Sequence, residues 1–145
     1  MRIEIWEGPV TDALVEAFER LTPQLSKSNP PPAREQIAEI VQSPSTDQFV
    51  AYDDDGAIVG VSTLAVFRIP TALRAWIEDV IVDSSVNGKG IGTSLTQAML
   101  DRARELGCKT VDLTSRPSRE AANHMYRKLG FEPRDTNVYR YEWHD

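Results

Sequence analysis

Hydrophobic and polar residues change period several times along the chain, and each change marks an element. Arg2–Trp6 alternates, as a half-buried strand does. Val10, Leu14, Phe18 and Leu21 then recur at helical spacing. The stretch Thr22–Pro32 breaks that period, because Pro30, Pro31 and Pro32 lack amide donors and hold the backbone extended. A second short helix is expected where Ile37, Ile40 and Val41 share a face. Phe49–Tyr52 and Ile58–Phe67 read as strands joined by the turn Asp53-Asp54-Asp55-Gly56. Arg74–Val82 is a further strand. Gly90–Leu106 is the clearest helix, with Ile91, Leu95, Ala98, Met99, Ala103 and Leu106 on one stripe and Gly107 as its stop. Thr110–Thr114 reads as a strand. Ser118 is placed to cap a helix that runs to Leu129 with Ala122, Met125 and Leu129 inward and stops at Gly130. A short strand near Phe131 and a closing strand Val138–Trp143 complete the expectation. The order β-α-α-β-β-β-α-β-α-β describes a mixed α/β (α+β) domain with one central sheet.

Composition narrows the function. A chain of 145 residues, 41% hydrophobic and 26% charged, is ordinary for one soluble globular domain. The single cysteine, Cys108, has no partner for an internal disulfide. No apolar run reaches the length of a signal sequence or membrane span, so the expectation is a cytoplasmic protein with no membrane partner. A net charge of −6 argues against nucleic acid, which needs a basic surface, and is compatible with a cationic amine.

The informative stretch is Trp76–Gly92, WIEDVIVDSSVNGKGIG, where a strand and a glycine-rich turn lead into a helix. Gly88, Gly90 and Gly92 leave amides unobstructed, and the helix N-terminus adds unpaired N–H groups and positive dipole. Together they suit a phosphate, with Lys89 adding a mobile charge. No Lys-Ser/Thr pair follows, which excludes a Walker A loop. A dinucleotide fingerprint fits at Gly88-Lys89-Gly90 but fails at Thr93 and lies too late in the chain. A tight turn that binds nothing is the plain alternative.

Asn87-Gly88-Lys89-Gly90-Ile91-Gly92 resembles the Gln/Arg-x-x-Gly-x-Gly/Ala loop of the GNAT superfamily of acyl-CoA-dependent N-acetyltransferases. Ala122-Asn123-His124-Met125-Tyr126-Arg127-Lys128-Leu129-Gly130-Phe131 resembles that superfamily's Ala-x-x-x-Tyr-x-x-x-Gly-Phe signature, one helix and one strand later. The resemblance implies a single domain over residues 1–145, its mixed, mostly antiparallel sheet flanked by helices. It implies acetyl-CoA as cosubstrate and an amine as acceptor. The backbone of Val80, Ile81 and Val82 would pair with the pantetheine arm, and Asn87, Gly88, Lys89, Gly90, Ile91, Gly92 and Thr93 would hold the pyrophosphate. Tyr126 would face the thioester sulfur and protonate the departing thiolate. Asn87 stands where Gln or Arg is usual, and Arg119 where Asn is frequent; Arg119 is kept as a cofactor contact. A homodimer is also implied, with the closing strand's edge free to pair with a second copy. A domain of this fold that binds acyl-CoA without catalysis, as a sensor or partner module, is the alternative.

Glu78 and Asp79 are adjacent acids in an otherwise apolar strand, where alternation sends them to opposite faces and burial would be costly. An alkyl amine has a pKa near about 10, so few molecules are neutral nucleophiles at neutral pH and a base helps. The run Ile77-Glu78-Asp79-Val80 resembles the corresponding strand of glucosamine-phosphate N-acetyltransferases, which favours Glu78 as the base over Asp79 or water. Cys108 reads as a small buried hydrophobe and His124 as a solvated surface residue. Two isolated histidines and one cysteine do not compose a zinc site, and no metal is expected. The Asp53–Asp55 run reads as a solvated turn.

Overall fold

A computed structural model describes residues 1–144. They form two compact units, Met1–Thr114 and the segment from Ser115 onward. In the first unit the strands are β1 (Arg2–Ile5), β2 (Thr46–Tyr52), β3 (Ile58–Ile69), β4 (Ala72–Val82) and β5 (Thr110–Asp112). The helices are α1 (Asp12–Leu25), α2 (Arg34–Gln42) and α3 (Ile91–Glu105). The second unit carries α4 (Glu120–Lys128). The strands lie in sequence order in one sheet, antiparallel from β1 to β4, with β5 parallel to β4.

Register shows which side chains share a face. Val50 opposes Val61, and Val61 opposes Ile81. This row packs with Leu14, Phe18 and Leu21 of α1 and Ile37 of α2 in one buried cluster. Gly60, one residue along β3, faces the other way, toward α3. A methyl group there would come within 3.0 Å of Leu95 Cδ1 and 3.2 Å of Ile91 Cγ2. The helix therefore rests directly on the strand backbone. Leu14, Leu21, Leu95 and Met99 are all fully buried. Each is worth about 1.5–3 kcal/mol of transfer energy. Exposed ion pairs such as Arg2–Glu4 are worth about 1 kcal/mol or less, so packing dominates.

The Asp53 turn forms as expected: its carboxylate accepts from the amides of Asp55 and Ala57. Three expectations are corrected. Ser118 does not cap α4; Arg119 holds the N-cap position, with no side-chain cap bond. No strand forms near Phe131, and none forms at Val138–Trp143. Alternating Tyr139, Tyr141 and Trp143 define a face, but a strand exists only as part of a ladder, and within one chain this segment has none. Those three side chains and Val138 are exposed, with Tyr141 and Trp143 packed edge to face.

Candidate active site

β4 carries the first part of the site. Thr63 opposes Glu78 and Val61 opposes Ile81, so Asp79 and Val80 together stand opposite Ser62. This is a β-bulge. Asp79 has φ +48°, the one positive φ of a non-glycine among the described residues. Such a conformation costs about 1–3 kcal/mol, which the flanking pairs support. The extra residue shifts the parity of the strand and turns Ile81 into the core beside Val61. The bulge interrupts the simple alternation expected of Glu78 and Asp79, and both side chains are exposed. Partial desolvation, helped by the charge of Asp79, pushes the Glu78 carboxyl above its ordinary value.

The edge of β4 is the second part. β5 pairs only with Arg74, Ala75 and Trp76. Beyond Trp76 that edge has no neighbouring strand among the described residues, so Ile77–Val82 presents open backbone groups on one side. Val80, Ile81 and Val82 all lie on this stretch.

Next comes the turn into α3. Asp83 accepts from Ser85 N at 3.0 Å and starts a single 3-10 turn, Ser84–Val86. Helix α1 clamps this loop: Arg20 Nη1 donates to Asp83 Oδ2 at 2.7 Å, Arg20 Nη2 to Ile58 O, and Ser84 N donates to Gln24 Oε1. The Ser85 amide and the Arg20 guanidinium hold the Asp83 carboxyl below its ordinary value despite partial burial. Gly90 is the N-cap of α3 in the left-handed region, φ +74°. It has no side chain to cap with, and the amides of Gly88 through Thr93 take no protein partner among the described residues. Asn87, Gly88, Lys89, Gly90 and Thr93 are exposed, whereas the Ile91 side chain is in the core. Any contribution of Ile91 to a ligand is by its backbone.

In the second unit Tyr126 lies on α4, and Arg119 is its N-cap. Tyr126 is buried, 7% exposed, with its ring edge-on to Phe131 at 5.6 Å. Burial raises the phenol pKa, and the positive charge of Arg119 pulls the other way. The phenol thus keeps its proton at neutral pH and can serve as a donor. His124 is exposed, as expected. Cys108 is half-buried, and desolvation raises its thiol pKa, which makes it a poor nucleophile.

Three features escaped the sequence reading. The bulge, the Arg20–Asp83 clamp and the buried Gln48 beside Thr63 all depend on contacts across strands or between elements, which no local spacing encodes. The sequence signal for the bulge was slight: two acids in a row inside an apolar strand.

Residues 11–131 match the family described as Acetyltransferase (GNAT) family. The chain belongs to this family. GNAT-family relatives include N-alpha-acetyltransferase 30 of Schizosaccharomyces pombe, 37% identical over 64% of this chain and 61% of that protein. Mycothiol acetyltransferase of Propionibacterium freudenreichii is 34% identical over 61% of this chain and 28% of its own length. Glucosamine 6-phosphate N-acetyltransferase of Trypanosoma brucei is 34% identical over 57% and 56%. The matches thus span less than two thirds of each of these relatives. Among solved structures, a putative acetyltransferase from Agrobacterium tumefaciens has the same fold, with TM-score 0.84, 20% identity and coverage of 98% of this chain and 100% of that one. So does an aminoglycoside acetyltransferase from an uncultured soil metagenomic sample, with TM-score 0.80, 22% identity and coverage of 99% and 97%.

Proposed function

We propose that this GNAT chain is one N-acetyltransferase domain over residues 1–145 that transfers acetyl from acetyl-CoA to a primary amine by direct attack. The observation that carries the reading is the course of β4 into α3: an open strand edge at Ile77–Val82, then a turn whose six successive amides lack protein partners. An amide-bearing pantetheine arm suits the first, and a pyrophosphate the second. Asn87, Gly88, Lys89, Gly90, Ile91, Gly92 and Thr93 hold the phosphates, Val80–Val82 the arm, and Arg119 a further part of the cofactor. Glu78 takes a proton from the ammonium, directly or through water. The freed amine nitrogen attacks the thioester carbon while the Val80 or Ile81 amide polarises the carbonyl. The C–N bond forms, the C–S bond breaks, Tyr126 gives its proton to the departing sulfur, and the second proton shed by the amine nitrogen returns through solvent to the phenolate. The products are an acetamide and the free thiol of CoA. Holding both reactants together supplies much of the acceleration.

The cradle has a direct test. Gly90→Leu places a side chain where a Cβ meets nothing within 4 Å, so the fold tolerates it at the left-handed penalty of about 1–2 kcal/mol. Calorimetry should show acetyl-CoA affinity lowered at least about tenfold in the folded variant. Unchanged affinity removes the turn from the cofactor site. Thiol release with a panel of amines then separates an enzyme from a domain that only senses acyl-CoA.

We further infer a cytoplasmic homodimer. Support for the location is the sequence alone; among the described residues no helix is long and apolar enough to cross a membrane. The exposed Tyr139, Tyr141 and Trp143 supply an apolar strand-like face for a second copy. Sedimentation at micromolar concentration should give twice the 16.2 kDa of one chain, and a single-chain species alone would refute the pairing.

A further inference from the structure

Gln48 is a polar side chain only 1% exposed, on a strand whose other buried residues, Phe49, Val50 and Ala51, are apolar. Its amide is oriented by its surroundings. Nε2 donates to Ser62 O at 3.0 Å and to Phe49 O at 3.2 Å, and a flipped amide would set oxygen against both carbonyls. Oε1 therefore points the other way and accepts from the Thr63 hydroxyl at 2.9 Å. The one hydroxyl proton of Thr63 is thereby committed inward. What Thr63 Oγ1 can offer elsewhere is lone pairs only, and Thr63 is half-buried, with part of its surface open.

Thr63 is also the cross-strand partner of Glu78, while Gln48 is its partner on the other side. Directly opposed residues have Cβ atoms about 4.5–5.5 Å apart. Gln48, Thr63 and Glu78 thus form one polar row across three strands, next to the apolar row Val50–Val61–Ile81 and on the same face, the face covered by α1 and α2. Trp76, two residues from Glu78 along β4, lies on that face as well. A hydroxyl held as an acceptor beside a carboxylate is a site for a group that only donates. A protonated primary amine is such a group, and the neutral amine formed from it still has N–H to donate.

We propose that Thr63, with its polarity set by the buried Gln48, is an acceptor-positioning residue that takes a hydrogen bond from the N–H of the substrate amine beside Glu78. This rests on the acetyltransfer reading above. It would discriminate in favour of amines that keep a second N–H after one proton has gone to the base, and against hydroxyl acceptors, whose single proton Glu78 would take.

The test uses the full chain with acetyl-CoA and a panel of alkylamines, amino sugars and short peptides. Thr63→Val should raise the KM for the best amine about tenfold while acetyl-CoA affinity by calorimetry stays the same. Thr63→Ser should restore the KM. Gln48→Met keeps the hydroxyl but frees its proton to turn outward, and it should raise the amine KM in the same direction. A purely structural role would lower thermal stability or move both substrates together without the Ser rescue. Active wild type with an unchanged amine KM in Thr63→Val overturns this inference and leaves acetyl transfer standing. Wild type that releases no thiol with any amine overturns both.

Discussion

Tyr126→Phe is expected to turn over roughly ten- to ten-thousand-fold more slowly than the parent, the span of one general acid. The ring stays, so the 5.6 Å edge contact with Phe131 and the core around it are kept. Only the hydroxyl is lost. Acetyl-CoA affinity should therefore change little, and the loss should fall on kcat. The raised phenol pKa means that the donor is fully protonated at working pH, so the defect should not vary between about pH 6 and 8. Steady-state kinetics with calorimetry checks all three statements. A variant with the parent's kcat would return Tyr126 to a packing role.

Glu78→Gln has a different signature, because its role depends on pH. A base must be ionised, and desolvation lifts the Glu78 pKa. The acid limb of the parent's rate profile should then lie above the ordinary carboxylate range. In the variant that limb disappears. Its rate should follow the fraction of neutral amine, climbing about tenfold per pH unit toward the amine pKa near 10. The deficit, roughly a hundred- to ten-thousand-fold near neutrality, should shrink as the medium becomes alkaline. Stability serves as a control with a definite sign. A carboxyl with a raised folded pKa contributes below its unfolded pKa, and that contribution is lost as pH rises through the folded value. At neutral pH Glu78→Gln should be no less stable than the parent. A deficit that stays constant with pH would transfer the base role to Asp79 or to water alone.

Much of the fold was readable because it is local. The stripe Ile91, Leu95, Met99, Ala103 foretold α3 nearly to the residue, since a helix closes its hydrogen bonds within itself. The Asp53 turn was readable because its carboxylate satisfies amides two and four residues on. The glycine turn was readable for the same reason: its shape and its unpartnered amides depend only on local backbone. Glu78 stands out in the sequence as an acid in an apolar strand, but its surroundings do not. Whether an acid in a strand is buried depends on register, and one extra residue at Asp79–Val80 reverses what alternation implies. The closing strand failed for a related reason. Tyr139, Tyr141 and Trp143 carry the period of a strand, yet period says nothing about which edge, in which chain, would receive it. Gln48 passed unnoticed because a glutamine in an apolar run becomes meaningful only once Ser62 and Thr63 stand beside it.

The empty space at Gly60 has consequences for how this protein can vary. No motif includes that position, and it lies some thirty residues before the turn it affects. Yet the first turn of α3 sits where it does because β3 carries no side chain there, with Ile91 and Leu95 occupying the room a methyl would fill and Ile81 O at 3.3 Å closing the third side. Even alanine would require Leu95 and Ile91 on the first turns of α3 to give by a few tenths of an ångström. Any shift of the helix would carry the amides at its N-terminus relative to the open edge of β4. On the proposed reading, the spacing between the two parts of the cofactor site thus depends on a sheet position with no chemistry of its own. Sequence drift among descendants of this chain should be slower at residue 60 than at Lys89, although only Lys89 carries a charge.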